Sequence, residues 1–381
     1  MRALELGCVW PSRHGGGGDR VFADLTCSLP ATGVAVEALF AGEGAEPPPA
    51  GARLTSFAPV GAGTHRRWWG ARQAMAVCAA RGDVDVVASH FALYASAALG
   101  WLKRVPHVVH FHGPWADESK EEGAGRASTA AKHAIERLVY GTADRLIVLS
   151  EAFAAILRDH YEVPSDRIRV VPGAVDAVRF RPRHTRREAR ARLGWPLDGP
   201  AIVTVRRLVR RTGVDRLLDA LPAVLVDRPD TRLYVGGTGP QADALAAQAR
   251  RLGVAARVTF LGYVPDAQLP LVYRAADLNV LPTTALEGFG LTAVEALASG
   301  TPSMVTPVGG LTDVVGPLAA GLVFDAATPA AIADGLRAAL AGERALPTDE
   351  ACIAYAGARF APTRMADAVA RVYREAMEVA S

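Results

Sequence analysis

Two glutamates, Glu287 and Glu295, bracket the stretch EGFGLTAVE, and carboxylates this close in sequence first suggest a pair acting on one bond. The local pattern argues against that. Gly288-Phe289-Gly290 reads as a turn, and Leu291–Ala298 reads as a helix stopped at Gly300-Thr301-Pro302. At about 1.5 Å of rise per residue, the acids stand up to roughly 12 Å apart along the axis. A pair sharing one glycosidic bond with retention needs a separation of about 5 Å. The two acids therefore hold different ends of one ligand. Between them lie the N–H groups of a helix N-terminus, which favour an anion such as phosphate. The implied ligand is long, with a diphosphate in its middle and a hydroxyl-bearing group at each end.

Other reactive side chains fall at the ends of predicted strands. His110 and His112 end the strand His107–Phe111 on one side of the chain. Two histidines suggest a metal, but no third ligand of suitable spacing accompanies them, so no metal is expected. For His112 a hydrogen bond to a sugar hydroxyl or carbonyl is the better reading; His110 and His90 are equally well explained as structural histidines. Arg206-Arg207 and Arg210-Arg211 follow the strand Ala201–Val205, where forked guanidinium donors suit a diphosphate. Arg207, next to the strand, is favoured for that role, and Arg210 reads as surface. Glycine loops at Gly15–Gly18 and Gly236–Gly239 end two further strands; the first lets backbone amides approach an anion or sugar, and for the second tight packing is nearly as good an explanation. The first loop is not G-x-G-x-x-G, and no acid clearly ends the second strand, so a nicotinamide site is disfavoured.

The elements that must position these groups form an alternation of short apolar runs and helical patterns, which predicts parallel sheets wrapped by helices. Strands are expected at Ala3–Val9, Val34–Leu39, Val84–Ala88, His107–Phe111, Arg145–Leu149 and Arg169–Val171. The rhythm weakens across Pro172–Pro200. It resumes at Ala201–Val205, Arg232–Val235, Val258–Leu261, Leu278–Leu281, Pro302–Val305 and Leu322–Phe324. This predicts an α/β protein of two doubly wound, Rossmann-like domains, residues 1–182 and 183–362. Two such sheets facing each other would bind a ligand in the cleft beyond their strands' carboxyl ends. The helical pattern Met365, Ala366, Val369, Val372, Tyr373, Ala376 and Met377 predicts a last helix over 363–381, free by periodicity to pack on either domain.

Composition narrows the function classes. The 381 residues are half hydrophobic, enough for two cores, and the net charge is only +3 with the basic residues scattered. A nucleic-acid partner is disfavoured. Cys8, Cys27, Cys78 and Cys352 lack metal or disulfide spacing, as expected of a reducing cytoplasm. MRALELGCVWPSRHGGGG reads as a first strand rather than a signal peptide, and no apolar run is long enough to span a membrane. Pro47-Pro48-Pro49 reads as a surface loop.

Taken in order, the motifs resemble the retaining glycosyltransferases of family 4, which have the two-domain GT-B fold. The resemblance runs through Gly15–Gly18, HFHG at His110–Gly113, ADRLIVLSE at Ala143–Glu151 and VVPGAVD at Val170–Asp176. It continues through VRRLVRRTGVDRLL at Val205–Leu218, VGGTGP at Val235–Pro240, FLGYVPDAQL at Phe260–Leu269 and EGFGLTAVEALASGTP at Glu287–Pro302. The last carries the family's E-x7-E element. The resemblance implies that Glu287 contacts hydroxyls of the donor sugar and Glu295 the ribose. It gives phosphate or sugar oxygens to the amides of Phe289, Gly290 and Leu291, and the diphosphate to Gly16 and Gly17. His112 matches the histidine beside the donor sugar, and Arg207 the arginine that neutralises the departing diphosphate. Tyr263 and Val264 fall where the backbone meets the base, and Gly237 belongs to a further ligand-approaching loop. Thr212 departs from the family, which carries a lysine there. A neutral hydroxyl cannot replace that charge, so Arg211 takes its place or the pocket is less positive.

The implied activity is transfer of a sugar from a UDP- or GDP-sugar to an acceptor hydroxyl, with Mg2+ compatible but not required and no tightly bound cofactor. The acceptor is expected on the first domain, on loops such as Gly61–Trp69 and Trp115–Arg126, where Trp68, Trp69 and Trp115 either offer stacking faces or simply pack locally. A small soluble acceptor such as a secondary metabolite or glycoside is favoured over lipid. A phosphorylase of the same fold and a catalytically inactive partner protein are the alternatives.

Overall fold

The structure is a computed structural model that describes residues 1–10, 16–45, 48–59 and 61–380. The chain divides into two compact units. The first comprises Met1–Ala174 and the segment from Pro362 onward, and the second comprises Val175–Ala361.

The first unit holds a seven-stranded sheet, wholly parallel in its pairings. Its strands are β1 (Arg2–Val9), β2 (Ala35–Ala41), β3 (Ala52–Ala58), β4 (Val86–Ser89), β5 (His107–Phe111), β6 (Arg145–Val148) and β7 (Ile168–Val170), in the order β3-β2-β1-β4-β5-β6-β7. The order reverses direction between β1 and β4, a switch point that leaves a crevice at the strands' carboxyl ends. Helix α1 (Gly17–Ser28) leaves β1 there, and helix α2 (Thr64–Arg81) follows β3. The central strands are buried along their length, as a sheet covered on both faces requires. Strand β3 was not expected. It is an edge strand, ARLTSFA, with mixed exposure and polar residues, so it lacks both the continuous apolar run and clean alternation.

The second unit holds a five-stranded sheet in the order β10-β9-β8-β11-β12, again parallel: β8 (Ala201–Val205), β9 (Arg232–Gly236), β10 (Val258–Gly262), β11 (Leu278–Leu281) and β12 (Ser303–Val305). Its switch point lies between β8 and β11. These two strands pair only at Ile202↔Leu278 and Val203↔Asn279, so their carboxyl ends are left to diverge. Helix α3 (Val214–Asp227) follows β8, and helix α4 (Leu291–Ala298) follows β11. The strand expected at Leu322–Phe324 is instead a 3-10 turn at Ala320–Leu322, with Val323 making one parallel bridge to Val305. Arg344 supplies the reason: its guanidinium donates to the carbonyls of Gly321 and Val323, which a strand partner would otherwise take.

The division falls at Ala174/Val175, earlier than the expected boundary of 182. The Val175 amide donates to the Phe360 carbonyl at 2.8 Å, and the buried Phe180 packs by Tyr273, so the chain is tied to the second unit before residue 182. The last helix, α5 (Pro362–Ala380), belongs to the first unit. It buries Met365, Ala366, Val369, Ala370, Val372, Tyr373 and Ala376, at roughly 1.5–3 kcal/mol for each of the larger apolar side chains. Its Glu375 carboxylate meets Arg169 at 2.8 Å and Arg145 at 3.4 Å, on β7 and β6.

Candidate functional site

In the second unit, Arg207, Arg211, Glu287 and Phe289–Leu291 lie in the segments that follow β8 and β11, on either side of the switch point. Glycines allow the loops there to interlock. Gly213, at φ +71°, would bring a Cβ to 1.8 Å from the Pro282 carbonyl, and Gly237, at φ +122°, to 1.8 Å from the Arg206 carbonyl. Only glycine tolerates both the backbone angle and the contact. The Arg206 amide donates to Gly236 O at 2.9 Å and the Leu208 amide to Thr238 O at 2.9 Å, so the loops after β8 and β9 form one surface.

Glu287 sits where these loops meet the amino end of α4. One carboxylate oxygen accepts the Gly290 amide at 3.1 Å. The other is bound by the guanidinium of Arg206, which also donates to the Thr283 hydroxyl. The preceding residue, Leu286, holds φ at +53°, a costly angle for a residue with a side chain, and its carbonyl accepts from Arg211 at 3.1 Å. The Glu287 carbonyl accepts the Gly310 amide at 2.9 Å. Backbone strain and bonds from three sides thus fix this acid. Gly290, at φ +84°, caps α4, whose first amides at Leu291 and Thr292 have no intrahelical acceptor.

Arg206, not singled out from the sequence, is the arginine that engages Glu287. Neighbouring residues of an extended segment face opposite ways, so the pair Arg206-Arg207 could not be resolved by type. Arg207 is exposed. Thr212 is buried and turns its hydroxyl into its own loop, donating to Val209 O at 2.7 Å and reaching Arg207 O at 3.0 Å; it presents nothing in place of a lysine. Glu295 is buried inside α4 and accepts the Tyr273 hydroxyl at 2.9 Å. Phe289 is buried against Phe360, Val264 is buried, and Tyr263 is 43% exposed. Gly237 donates its amide to Gly262 O at 2.7 Å, tying the loop after β9 to the segment before Tyr263.

The first unit has its own cluster at its switch point. Glu5 on β1 is fully buried; His90 follows β4; His110 and His112 end β5; Tyr373 reaches in from α5. The Tyr373 hydroxyl donates to Glu5 Oε1 at 2.7 Å and meets His110 Nε2 at 2.9 Å. His90 joins Glu5 Oε2 through Nε2 and His112 Nε2 through Nδ1, both at 2.9 Å. The His90 and His110 rings stack with centroids 4.2 Å apart. Burial pushes the Glu5 carboxyl up to about 8 and the His90 and His112 imidazoles down to about 3, and it lowers His110 as well. Low dielectric penalises the charged form in each case, so the rings are neutral. Glu5, His90 and His110 place three ligand-type atoms within 4.8 Å of one another. Both Glu5 oxygens, both His90 nitrogens and His110 Nε2 hold hydrogen bonds inside the cluster.

Gly18 of α1 gives His112 its room: a Cβ there would lie 3.0 Å from the ring's Cγ. Gly16, expected on a diphosphate, donates its amide to Asp19 at 2.8 Å, and Asp19 also takes the Val9 amide at 3.2 Å. The Gly16 amide thus closes the turn that opens α1. Gly17 opens α1, and Pro11 to Gly15 lie outside the described residues. The segments expected at Gly61–Trp69 and Trp115–Arg126 to be loops are largely helical, since α2 begins at Thr64 and a short helix spans Trp115–Glu121. Trp68 donates its indole N–H to Ser96 at 3.1 Å, and Trp115 packs edge-on against Phe91. Trp69 is half exposed. No helix among the described residues is long and apolar enough to cross a membrane.

Comparison with known proteins identifies the family. Residues 15–179 match the model of Glycosyltransferase Family 4, and residues 185–359 that of Glycosyl transferases group 1. A D-inositol 3-phosphate glycosyltransferase of Corynebacterium jeikeium is 33% identical over 318 residues, covering 79% of this chain and 75% of the relative. The chain belongs to glycosyltransferase family 4. A relative of the same name from Nocardia farcinica is 38% identical over 275 residues, 69% of this chain and 60% of its own length. The chain spans about three fifths to two thirds of that relative and of those from Segniliparus rotundus and Corynebacterium glutamicum. Among solved structures, sucrose-phosphate synthase from Thermosynechococcus elongatus superposes with a TM-score of 0.81 at 23% identity over the whole of both chains. Anabaena HepE in complex with UDP-glucose gives 0.74 at 20% identity, covering 100% of this chain and 99% of HepE. Both show that this family member has the GT-B fold, with two Rossmann-like domains.

Proposed function

We propose that this family 4 chain transfers a sugar from a nucleotide diphosphate sugar to a hydroxyl of a small acceptor, with retention at the anomeric carbon. The observation that carries the reading is the fixed Glu287 carboxylate at the amino end of α4, held by Arg206 and the Gly290 amide beside the exposed Arg207. Glu287 accepts hydroxyls of the donor sugar. Arg207 and the amides of Phe289 and Leu291 take the diphosphate, and they stabilise it more as the bond to the sugar lengthens and charge grows on the leaving oxygen. Glu295 takes the ribose, the backbone at Tyr263 and Val264 the base, and Gly17 and Gly237 allow close approach to the diphosphate. His112 bonds the donor sugar. No side chain is assigned as a covalent nucleophile, so a donor phosphate oxygen takes the acceptor proton on the same face.

A UDP-sugar is the first donor to test, because a protein of the same fold is known with UDP-glucose. An inositol phosphate is the first acceptor, because the Nocardia farcinica and Corynebacterium jeikeium relatives are named for one. The exposed face of Trp69 on the first unit suits a small ring. The inward-turned Thr212 favours a second reading, in which the chain binds nucleotide without turnover as a partner of an active enzyme. Assays with UDP-, GDP- and ADP-sugars decide between them. Turnover that falls about a hundredfold or more in both Glu287→Ala and Arg207→Ala supports the transferase. Near-normal turnover in both variants rejects this site, and nucleotide-dependent stabilisation without any turnover supports the partner.

A further inference from the structure

We infer that Glu5 and His90 are positioning residues that decide which nitrogen of His112 carries the proton, and so whether His112 Nδ1 donates to or accepts from the sugar of the donor. This rests on the role proposed for His112. The geometry is a continuous chain, Glu5 Oε2···His90 Nε2 and His90 Nδ1···His112 Nε2, each link 2.9 Å. It ends at His112 Nδ1, a buried atom with no hydrogen-bond partner among the described residues.

With every ring neutral, the chain has two self-consistent proton arrangements. When Glu5 is ionised, His90 Nε2–H donates to it. His90 Nδ1 then accepts from His112 Nε2–H, and His112 Nδ1 carries a lone pair. When Glu5 is protonated at Oε2, its O–H donates to His90 Nε2. His90 Nδ1–H then donates to His112 Nε2, and His112 Nδ1 carries the hydrogen. One proton added at Glu5 thus changes the tautomer of both rings and inverts the free nitrogen, with no ring becoming charged. The arm through Tyr373 is the same in both states: its hydroxyl donates to Glu5 Oε1 and accepts His110 Nε2–H.

The groups facing this chain come from every packed element. They are Glu5 of β1, His90 after β4, His110 of β5, His112 just after β5, and Tyr373 of α5. From α1 the neighbours are the Phe22 ring, 5.2 Å from His90, and the bare Gly18. Asp19 of α1 spends its carboxylate on the Gly16 and Val9 amides. The burial that pushes Glu5 up to about 8, and His90 and His112 down to about 3, puts the exchange at Glu5 and not at a ring.

The test is long-range 1H–15N correlation of the histidine rings in the full chain, without donor, so its outcome is independent of whether turnover is found. His112 Nδ1 is expected to be pyrrole-like at pH 6.5 and pyridine-like at pH 9.5, with a midpoint near 8. Glu5→Gln, which has no titrating proton, should abolish the pH response. Tyr373→Phe removes a bond that favours the carboxylate and should move the midpoint upward. An Nδ1 of one type at both pH values, a pH response that survives in Glu5→Gln, or an unmoved midpoint in Tyr373→Phe overturns the inference. The last variant carries the test if Glu5→Gln does not fold.

Discussion

Replacing Arg206 by alanine is the sharpest perturbation of the Glu287 anchor. The pair is nearly buried, with 8% of the Arg206 side chain and 15% of the Glu287 side chain exposed. Removing one partner of a buried pair costs about 3–5 kcal/mol, because the other charge stays desolvated. Here the Gly290 amide remains on Glu287 and part of the carboxylate reaches water, so about 2–3 kcal/mol is expected. For a unit of nearly two hundred residues, each kcal/mol moves Tm by about 2–4 °C, which gives a fall of roughly 4–12 °C in the second unit's transition. Arg207→Ala removes an exposed side chain and should change Tm by at most about 2 °C while, on the proposed role, lowering turnover about a hundredfold or more. Urea or thermal unfolding of Arg206→Ala, Glu287→Gln and the double variant completes the cycle. The double variant should be less destabilised than the sum of the singles by at least about 1.5 kcal/mol. Additive losses, or an Arg207→Ala protein less stable than Arg206→Ala, would refute the claim that Arg206 holds Glu287.

Stability should peak near pH 6.5. His90, His107 and His112 are held at about 3 by burial, so from 3 to 6.5 the unfolded chain binds protons that the folded chain does not, and stability rises with pH. Glu5, raised from 4.5 to about 8, acts oppositely, and its contribution is lost as pH rises from 4.5 to 8. Each group contributes at most about 1.4 kcal/mol per pH unit, so the three histidines prevail below 6.5 and Glu5 alone acts above it. A Tm series should therefore decline between pH 6.5 and 8, and Glu5→Gln should remove the decline; a wild-type Tm that climbs through this window contradicts it. Glu162 ends a helix at φ +56° with an exposed side chain, so Glu162→Gly should stabilise by about 0.5–1 kcal/mol. Chemical denaturation checks this, and a loss of stability would mean that its exposed pair with Arg137 outweighs the backbone relief.

The sequence by itself determined the local features. Strand runs such as His107–Phe111 and Ala201–Val205 coincide with their elements, because a strand buried on both faces must be apolar along its length. The Gly290 cap and the α4 helix were legible from glycine and helical periodicity, which act over a few residues. Edge strand β3 was not, since a half-exposed edge places no such demand on composition. Which of two adjacent arginines reaches Glu287 depends on the direction of one peptide, which residue types do not encode. The hydrogen-bonded partners of Glu5 lie 85 and 368 residues along the chain, and only the folding of α5 onto the first sheet brings Tyr373 to them. Periodicity showed that α5 had an apolar face to bury but not which unit would receive it, because burial is indifferent to the identity of the apolar surface it meets.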